Sequence, residues 1–349
     1  MREQPRSALL FAEKVARGGP CILKLENPPA MSRKKPAATD KAQKTQKPSA
    51  FELAMEELRK RPAGPAETVS GRWLLGALAT AVAGSLVLGW LALCLVYWQG
   101  AWQLLYHPKT PVLRTPAAEG LSFAPVRFAA AENGTPQLAG WWVPAAGQAK
   151  YTVLVLHTKD GNLGDTVGDV LALHRAGADV LAFDYRGFGD SVALSGMSRP
   201  SEKKLVQDAE WALDYLTATR HVNPARIVVF GNGLGAYIAA EVAAKHASLA
   251  GVIVDAPEEN PTGVIFGDAR SRLVPAHLLV ADRYDLEAAA KALSVPSLWL
   301  LPEGRPAHPA AAASAGPTTR VWLKTPFPGR AEMAPAIARW LDDLGAAGH

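Results

Sequence analysis

Arg226-Ile-Val-Val-Phe-Gly-Asn-Gly-Leu-Gly-Ala-Tyr-Ile-Ala239 reads as a β-branched strand, a glycine-rich turn and the start of an alanine-rich helix. The turn has the spacing of a nucleophile elbow, G-x-S-x-G, in which small residues two before and two after the centre let strand and helix close on each other. Gly231 and Gly235 supply both outer positions, and the centre is Gly233. Glycine has no side chain with which to attack a carbonyl, so the stretch predicts a scaffold for acyl transfer without its nucleophile. The same residues also satisfy G-x-G-x-x-A, from Gly231 to Ala236, with Asp255 ending the next strand where a ribose-binding acid would stand. A dinucleotide-binding turn is therefore the rival reading, and its late position in the chain weighs against it.

Around this turn, short β-branched or aromatic runs alternate with longer helical ones, the pattern of a mostly parallel sheet covered by helices. The expected strands lie near 122–128, 138–143, 151–157, 179–184, 226–230, 250–255, 296–301 and 319–323. Between them, Ser201 to His221 places Leu205, Ala209, Ala212, Leu213 and Leu216 on one helical face. The expected fold is α/β, with an eight-stranded, mostly parallel sheet flanked by helices.

The motifs along this frame resemble those of the α/β-hydrolases, and most closely their membrane-tethered members. Trp102-Gln-Leu-Leu-Tyr-His-Pro108 is similar to that family's Tyr-x-Pro entry, and Val153-Leu-Val-Leu-His157 to the strand leading into its oxyanion loop. Asp184-Tyr-Arg-Gly-Phe-Gly-Asp-Ser191 matches the D-Y-R-G-x-G-x-S loop, the most specific of these signals. Asp255-Ala-Pro257, Asp282-Arg-Tyr-Asp285 and Val295-Pro296 follow in the family's order. The resemblance covers roughly residues 100 to 345 and implies an α/β-hydrolase fold preceded by a membrane anchor.

Carried over residue by residue, the resemblance puts the serine at Gly233, the aspartate at Arg305 and the histidine at Arg330. None of these can perform its part in proton removal, orientation or attack. The oxyanion-hole positions fall on Thr158 and Leu234, where the family has His-Gly and the residue after the nucleophile. Glu303 is an alternative acid. The histidines after the elbow are His246, His277, His308 and His349, none of which has a serine at Gly233 to activate. Glycine at the centre also relaxes a positive-φ conformation that costs other residues about 1–3 kcal/mol. The resemblance makes Ser191 a structural loop residue, with His157 and Asp184 as loop and strand-end residues. Asn133-Gly-Thr135 matches a glycosylation acceptor, a motif short enough to occur by chance.

Before the domain, Trp73 to Trp98 is uncharged over twenty-six residues, long enough as helix to cross a bilayer with tilt. Trp73 at one end and Tyr97, Trp98 and Trp102 at the other are placed like interfacial aromatic belts, and Cys94 is expected to lie within the membrane. Arg59, Lys60, Arg61 and Arg72 precede the span, whereas Lys109, Arg114 and Arg127 are the cations of the thirty residues after it. The positive-inside tendency then puts residues 1–72 in the cytoplasm, as a largely disordered basic arm, and residues 99–349 across the membrane. Met31 opens a Ser-Arg-Lys-Lys stretch that reads as a natural start. Gly76, Thr80 and Gly84, with Ala77, Ala81 and Ser85, form a small-residue stripe suited to a homodimer contact, although alanine-rich composition alone produces the same stripe.

Charge limits the remaining classes. Residues 31–72 hold ten basic and five acidic residues, while residues 73–349 hold twenty-two and twenty-four, so the net +5 belongs to the arm. A near-neutral domain lacks the concentrated basic face that nucleic-acid binding needs. With Cys21 in the arm and Cys94 in the apolar run, the domain has no thiolate metal site and no disulfide. No cofactor is expected. Lys159, Arg305, Arg330 and the helix N-terminus near Gly233 suggest a cationic former active site and an anionic ligand, with Asp160, Glu303 and Glu332 near enough in sequence to offset it. The expected protein is an inactive hydrolase-fold binding or regulatory module; the alternative is a membrane-bound hydrolase with another nucleophile.

Overall fold

The computed structural model describes residues 49–60, 69–130, 134–195, 198–304, 306–324 and 332–347. It separates into a short N-terminal unit ending at Val69 and a large unit from Ser70 onward. In the first, α1 (Ala50–Lys60) begins at a reciprocal cap: Glu52 N donates to Ser49 Oγ, and Ser49 N to the Glu52 carboxylate.

The second unit opens with α2 (Gly71–Gly100), thirty residues long, started by Ser70, whose hydroxyl accepts from Trp73 N. It is long and apolar enough to span a membrane. Its first twenty-two residues, 71–92, are exposed throughout, whereas Cys94 and Tyr97 are buried in the core of the following domain. This corrects the expected place of Tyr97 in the belt and of Cys94 in the membrane, whereas Trp98 is exposed. The Tyr97 hydroxyl donates to Ile265 O at 3.0 Å and the Trp90 indole N–H to Leu273 O at 3.0 Å, so the last three turns lie on protein. In the small-residue stripe, Thr80 and Ser85 satisfy their hydroxyls on the carbonyls of Gly76 and Ala81 within the helix.

The domain is built on eight strands: β1 (Ala124–Ala130), β2 (Pro136–Val143), β3 (Thr152–Leu156), β4 (Asp179–Asp184), β5 (Ile227–Asn232), β6 (Gly251–Asp255), β7 (Ser297–Pro302) and β8 (Thr318–Leu323). Their order in the sheet is β8-β7-β6-β5-β3-β4-β2-β1, with β2 antiparallel to its neighbours and β3 to β8 parallel. Every expected strand is present within two residues at each end. Side-chain alternation explains the layering: Leu154 and Leu156 of β3 enter one core, Val153 and Val155 the other. The first core is covered by α4 (Glu202–Asp214), α5 (Gly235–Lys245) and α8 (Leu286–Ala292), the second by α3 (Val167–Arg175) and α9 (Met333–Ala347). Between β6 and α8 lie two short helices, α6 (Gly263–Gly267) and α7 (Ala276–Leu279).

The helix expected over Ser201–His221 stops at Asp214 and continues as one wider turn over Tyr215–Thr219. The Tyr-x-Pro and Asp282-Arg-Tyr-Asp285 motifs meet in space: the Tyr106 hydroxyl donates to Asp282 at 2.7 Å and contacts the Tyr284 hydroxyl. Glu202 accepts the N–H groups of Arg283 and Tyr284, which ties the start of α4 to the same point.

Candidate functional site

The chain runs from β3 to β4 on one side and later from β4 to β5 on the other, so the carboxyl ends of β3 and β5 form the switch point where parallel sheets open a crevice. Three segments converge there: His157–Lys159 after β3, Asn232–Leu234 after β5 and Asp255–Glu259 after β6.

Gly233 has φ +57°, the left-handed conformation expected for the centre of an elbow. Its N–H donates to Asp255 O at 3.0 Å. A Cβ at this position would lie 2.7 Å from the Thr158 hydroxyl oxygen and 3.8 Å from a Glu258 carboxylate oxygen. The space a serine would need is therefore already lined by Thr158 and Glu258. Closure of the turn depends on Gly235, where a Cβ would come within 2.1 Å of Leu156 O and 2.6 Å of His157 O.

Lys159 points its ammonium at both oxygens of Glu258 at 2.5 Å, with both side chains largely shielded from solvent. This charge-assisted pair closes over the elbow, and the Tyr237 hydroxyl binds Glu258 O beneath it. Lys159 is thus committed to a carboxylate inside the protein, contrary to its expected role as an anion contact. Arg305 and Arg330 lie outside the described residues, as do Asn133 and His349. Thr158 lies against Gly233, and Leu234 directly precedes α5 at the elbow. The Thr158 hydroxyl forms no hydrogen bond with a described residue.

Beside the elbow is a cavity of about 620 Å³, walled by Tyr237, Tyr284 and His308 and by the carboxylates of Glu258, Glu259, Asp285 and Glu287. Three of these have internal duties: Glu258 holds Lys159, Asp285 caps α8 by accepting from Ala288 N, and Glu287 pairs with Lys291 at 2.7 Å. His308 accepts the Ala310 N–H on its Nδ1, and burial lowers its pKa. The carboxylates on this wall were not anticipated, although Asp255-Ala-Pro-Glu-Glu259 carries two of them directly after the strand-end motif.

His157 is buried, packed against the rings of Tyr185 and Phe188 with centroids at 4.5 and 5.1 Å. Its Nδ1–H donates to Thr158 O at 2.7 Å, and its Nε2, without a hydrogen-bond partner, lies 3.9 Å from Asp184 Oδ1. That separation is too long for a hydrogen bond. Burial pushes the imidazole down to about 4 and, at Asp184, pushes the carboxyl up to about 7 against the pull of the Leu163 and Asp190 N–H groups. Asp184 is the strand-end residue expected, and Ser191 the expected structural one, since its hydroxyl donates to Asp184 O at 2.6 Å and accepts from Ala139 N at 2.9 Å.

These shifts have opposite consequences for stability. Between about pH 6.5 and 4 the unfolded chain protonates His157 and the folded chain does not, so acidification through that window costs stability. Between about pH 3.8 and 7 the folded chain keeps a proton on Asp184 that the unfolded chain has released, so raising the pH costs stability there. His157→Gln removes only the first effect. Relative to the unaltered protein, the variant is expected to lose less Tm between pH 6.5 and 4.5, and parallel Tm–pH profiles would contradict the buried neutral imidazole.

The rival dinucleotide turn is not supported by the geometry. The Asp255 side chain is buried and receives the Asn232 amide at 2.7 Å, while its carbonyl takes the Gly233 N–H. The carboxylate is held inside the turn rather than offered to a ribose.

Comparison with known proteins places the site in context. The sequence model of the family described as Serine aminopeptidase, S33 matches residues 147–301. An uncharacterized protein of Mycobacterium tuberculosis is 34% identical over 148 residues, 42% of this chain and 50% of that protein. Alpha/beta hydrolase domain-containing protein 17B of Xenopus tropicalis is 30% identical over 135 residues, 38% of this chain and 45% of that one. The chain thus matches about half the length of these curated relatives. Among solved structures, a Pyrococcus furiosus esterase superposes with a TM-score of 0.52 at 16% identity, covering 69% of this chain and 96% of the esterase.

Proposed function

We propose that this chain, which belongs to the α/β-hydrolase superfamily, is a single-pass membrane-anchored pseudohydrolase that works as a binding or regulatory module. The observation that carries this reading is the occupied elbow. Gly233 offers no attacking atom, and a Cβ there would meet the Thr158 hydroxyl oxygen at 2.7 Å, with a Glu258 carboxylate oxygen 3.8 Å away. The described histidines near the elbow support the same conclusion. His157 turns its free nitrogen into the aromatic core, and His308 uses its Nδ1 to hold Ala310 N. Neither bonds to the Thr158 hydroxyl, so among the described residues no histidine is poised to activate it.

The anchor reading rests on the length and apolarity of Gly71–Gly100 and on the cationic residues before it. With the arm in the cytoplasm, the domain lies on the opposite side. The cavity beside the elbow is the natural ligand site, since concave pockets at switch points are where this architecture binds small molecules. Of the four carboxylates on its described wall, Glu258 and Glu287 are paired with Lys159 and Lys291 while Glu259 and Asp285 have no cationic partner among the described residues, which leaves an anionic ligand without support there.

Treatment of the membrane-embedded full chain with a fluorophosphonate probe is expected to give no covalent labelling, and Gly233→Ser is expected to stay unlabelled. That substitution should lower stability by about 1–3 kcal/mol, because serine must hold the left-handed backbone and its Cβ meets Thr158. Labelling of the unaltered protein that disappears in Thr158→Ala would overturn the proposal and identify the threonine as a nucleophile.

A further inference from the structure

We propose that the segment Gly263–Leu279, which carries α6 and α7, is a membrane-docking surface that seats the domain on the same bilayer its anchor crosses; this rests on the anchor reading above. The first support is a match of lengths. The unbroken exposed run of α2, residues 71–92, rises about 33 Å at about 1.5 Å per residue, close to the roughly 30 Å hydrocarbon core of a bilayer. Trp90, two residues before the end of that run, bonds its indole N–H to Leu273 O of the domain. Indole rings favour the headgroup level. Trp90 therefore marks where the membrane ends, and Leu273 is fixed at that depth.

The second support is the chemistry of the surface at that level. Leu273 and Leu278 are 61% and 86% exposed, and Val264 is 49% exposed. Their neighbours Ile265, Val274 and Ala276 are buried in the domain core, so the exposed leucines face away from the protein on a segment whose inner side is already satisfied. Between them lie two arginines. Arg270 is held by Asp268 at 2.8 Å, whereas Arg272 is exposed and forms no ion pair with a described residue. Exposed leucines beside an unpaired cation suit the boundary between acyl chains and phosphates.

The third support is continuity. Tyr97 is bonded to Ile265 O, so α6 is fixed to the anchor as well, about two helical turns beyond Trp90 on the same face. A bilayer around the exposed run lies beside this segment, since Trp90 and Tyr97 hold one side of the anchor against it.

The test uses the full chain in phosphatidylcholine–phosphatidylglycerol vesicles, with Cys21 replaced by serine and a fluorophore on a single introduced cysteine. Leu78→Cys reports the anchor, Leu278→Cys the docking surface, and Lys150→Cys the amino end of the central strand β3, away from the carboxyl ends that α6 and α7 follow. Nitroxides at the lipid headgroup are expected to quench the Leu278 label at least about threefold more than the Lys150 label, and nitroxides deep in the acyl chain to quench the Leu78 label. Quenching at Leu78 with equal signals from Leu278 and Lys150 would overturn the docking surface and leave the anchor standing. Absence of quenching at Leu78 would instead overturn the anchor. A Leu278 label shielded from aqueous iodide yet untouched by either nitroxide would replace the bilayer with a protein partner.

Discussion

Gly235→Ala is expected to abolish accumulation of the folded domain. The added methyl would sit 2.1 Å from Leu156 O and 2.6 Å from His157 O, and both obstacles are backbone atoms at the end of a central strand. Relief requires β3 and α5 to separate, which would break the contact of α5 with both cores' shared sheet. No side chain can swing aside. Gly231 faces the same problem from the other direction, because its Cβ would meet Gly235 O at 2.1 Å. Overpacking of this kind exceeds the usual range for one substitution, and a loss above about 4 kcal/mol is expected. Gly84→Ala, with nothing within 4 Å, is the matched control and should leave Tm unchanged. The measurement is intrinsic tryptophan fluorescence during heating in detergent. A Gly235→Ala protein melting within a few degrees of the unaltered one would mean that the turn is not packed as described.

Asp184→Ala is expected to produce the second large loss. Asp184 Oδ1 accepts the buried Leu163 N–H at 2.7 Å, and Oδ2 accepts the Asp190 N–H at 3.0 Å. Alanine leaves both donors without that partner, at about 1–3 kcal/mol each. For a domain of this size the corresponding fall in Tm is roughly 5–20 °C. Part of the loss is offset because a carboxyl pushed up to about 7 is itself poorly solvated. Asp184→Asn, which retains one acceptor, should fall between the two. Equal melting of all three would show that the loop carrying Leu163 and Asp190 is held by other contacts.

The fold was readable because each strand declared itself by β-branched runs, and the order of motifs fixed which strand carried the elbow. Gly233 was readable too, since a missing side chain is visible without coordinates, and its positive φ followed from the turn. The role of Lys159 was not. A lysine after β3 looks available until β6 delivers Glu258 to it, and a separation of ninety-nine residues leaves no periodic trace in the sequence. Tyr97 and Cys94 failed for a related reason. Apolar composition is the same whether a helix faces lipid or protein, so the point at which α2 leaves one and meets the other lies in the tertiary packing alone. The wider turn over Tyr215–Thr219 likewise interrupts a pattern that continues unbroken in the amino acids.

Because Cys94 and Tyr97 belong to the domain's own core, the helix boundary is not a place where the polypeptide can be cut. A version beginning after Gly100 would open a furrow along α6 and α7, strip Ile265 O and Leu273 O of their donors, and present greasy surface to water. A soluble form of this domain therefore has to keep the last three turns of α2 and shed only the portion upstream of Trp90.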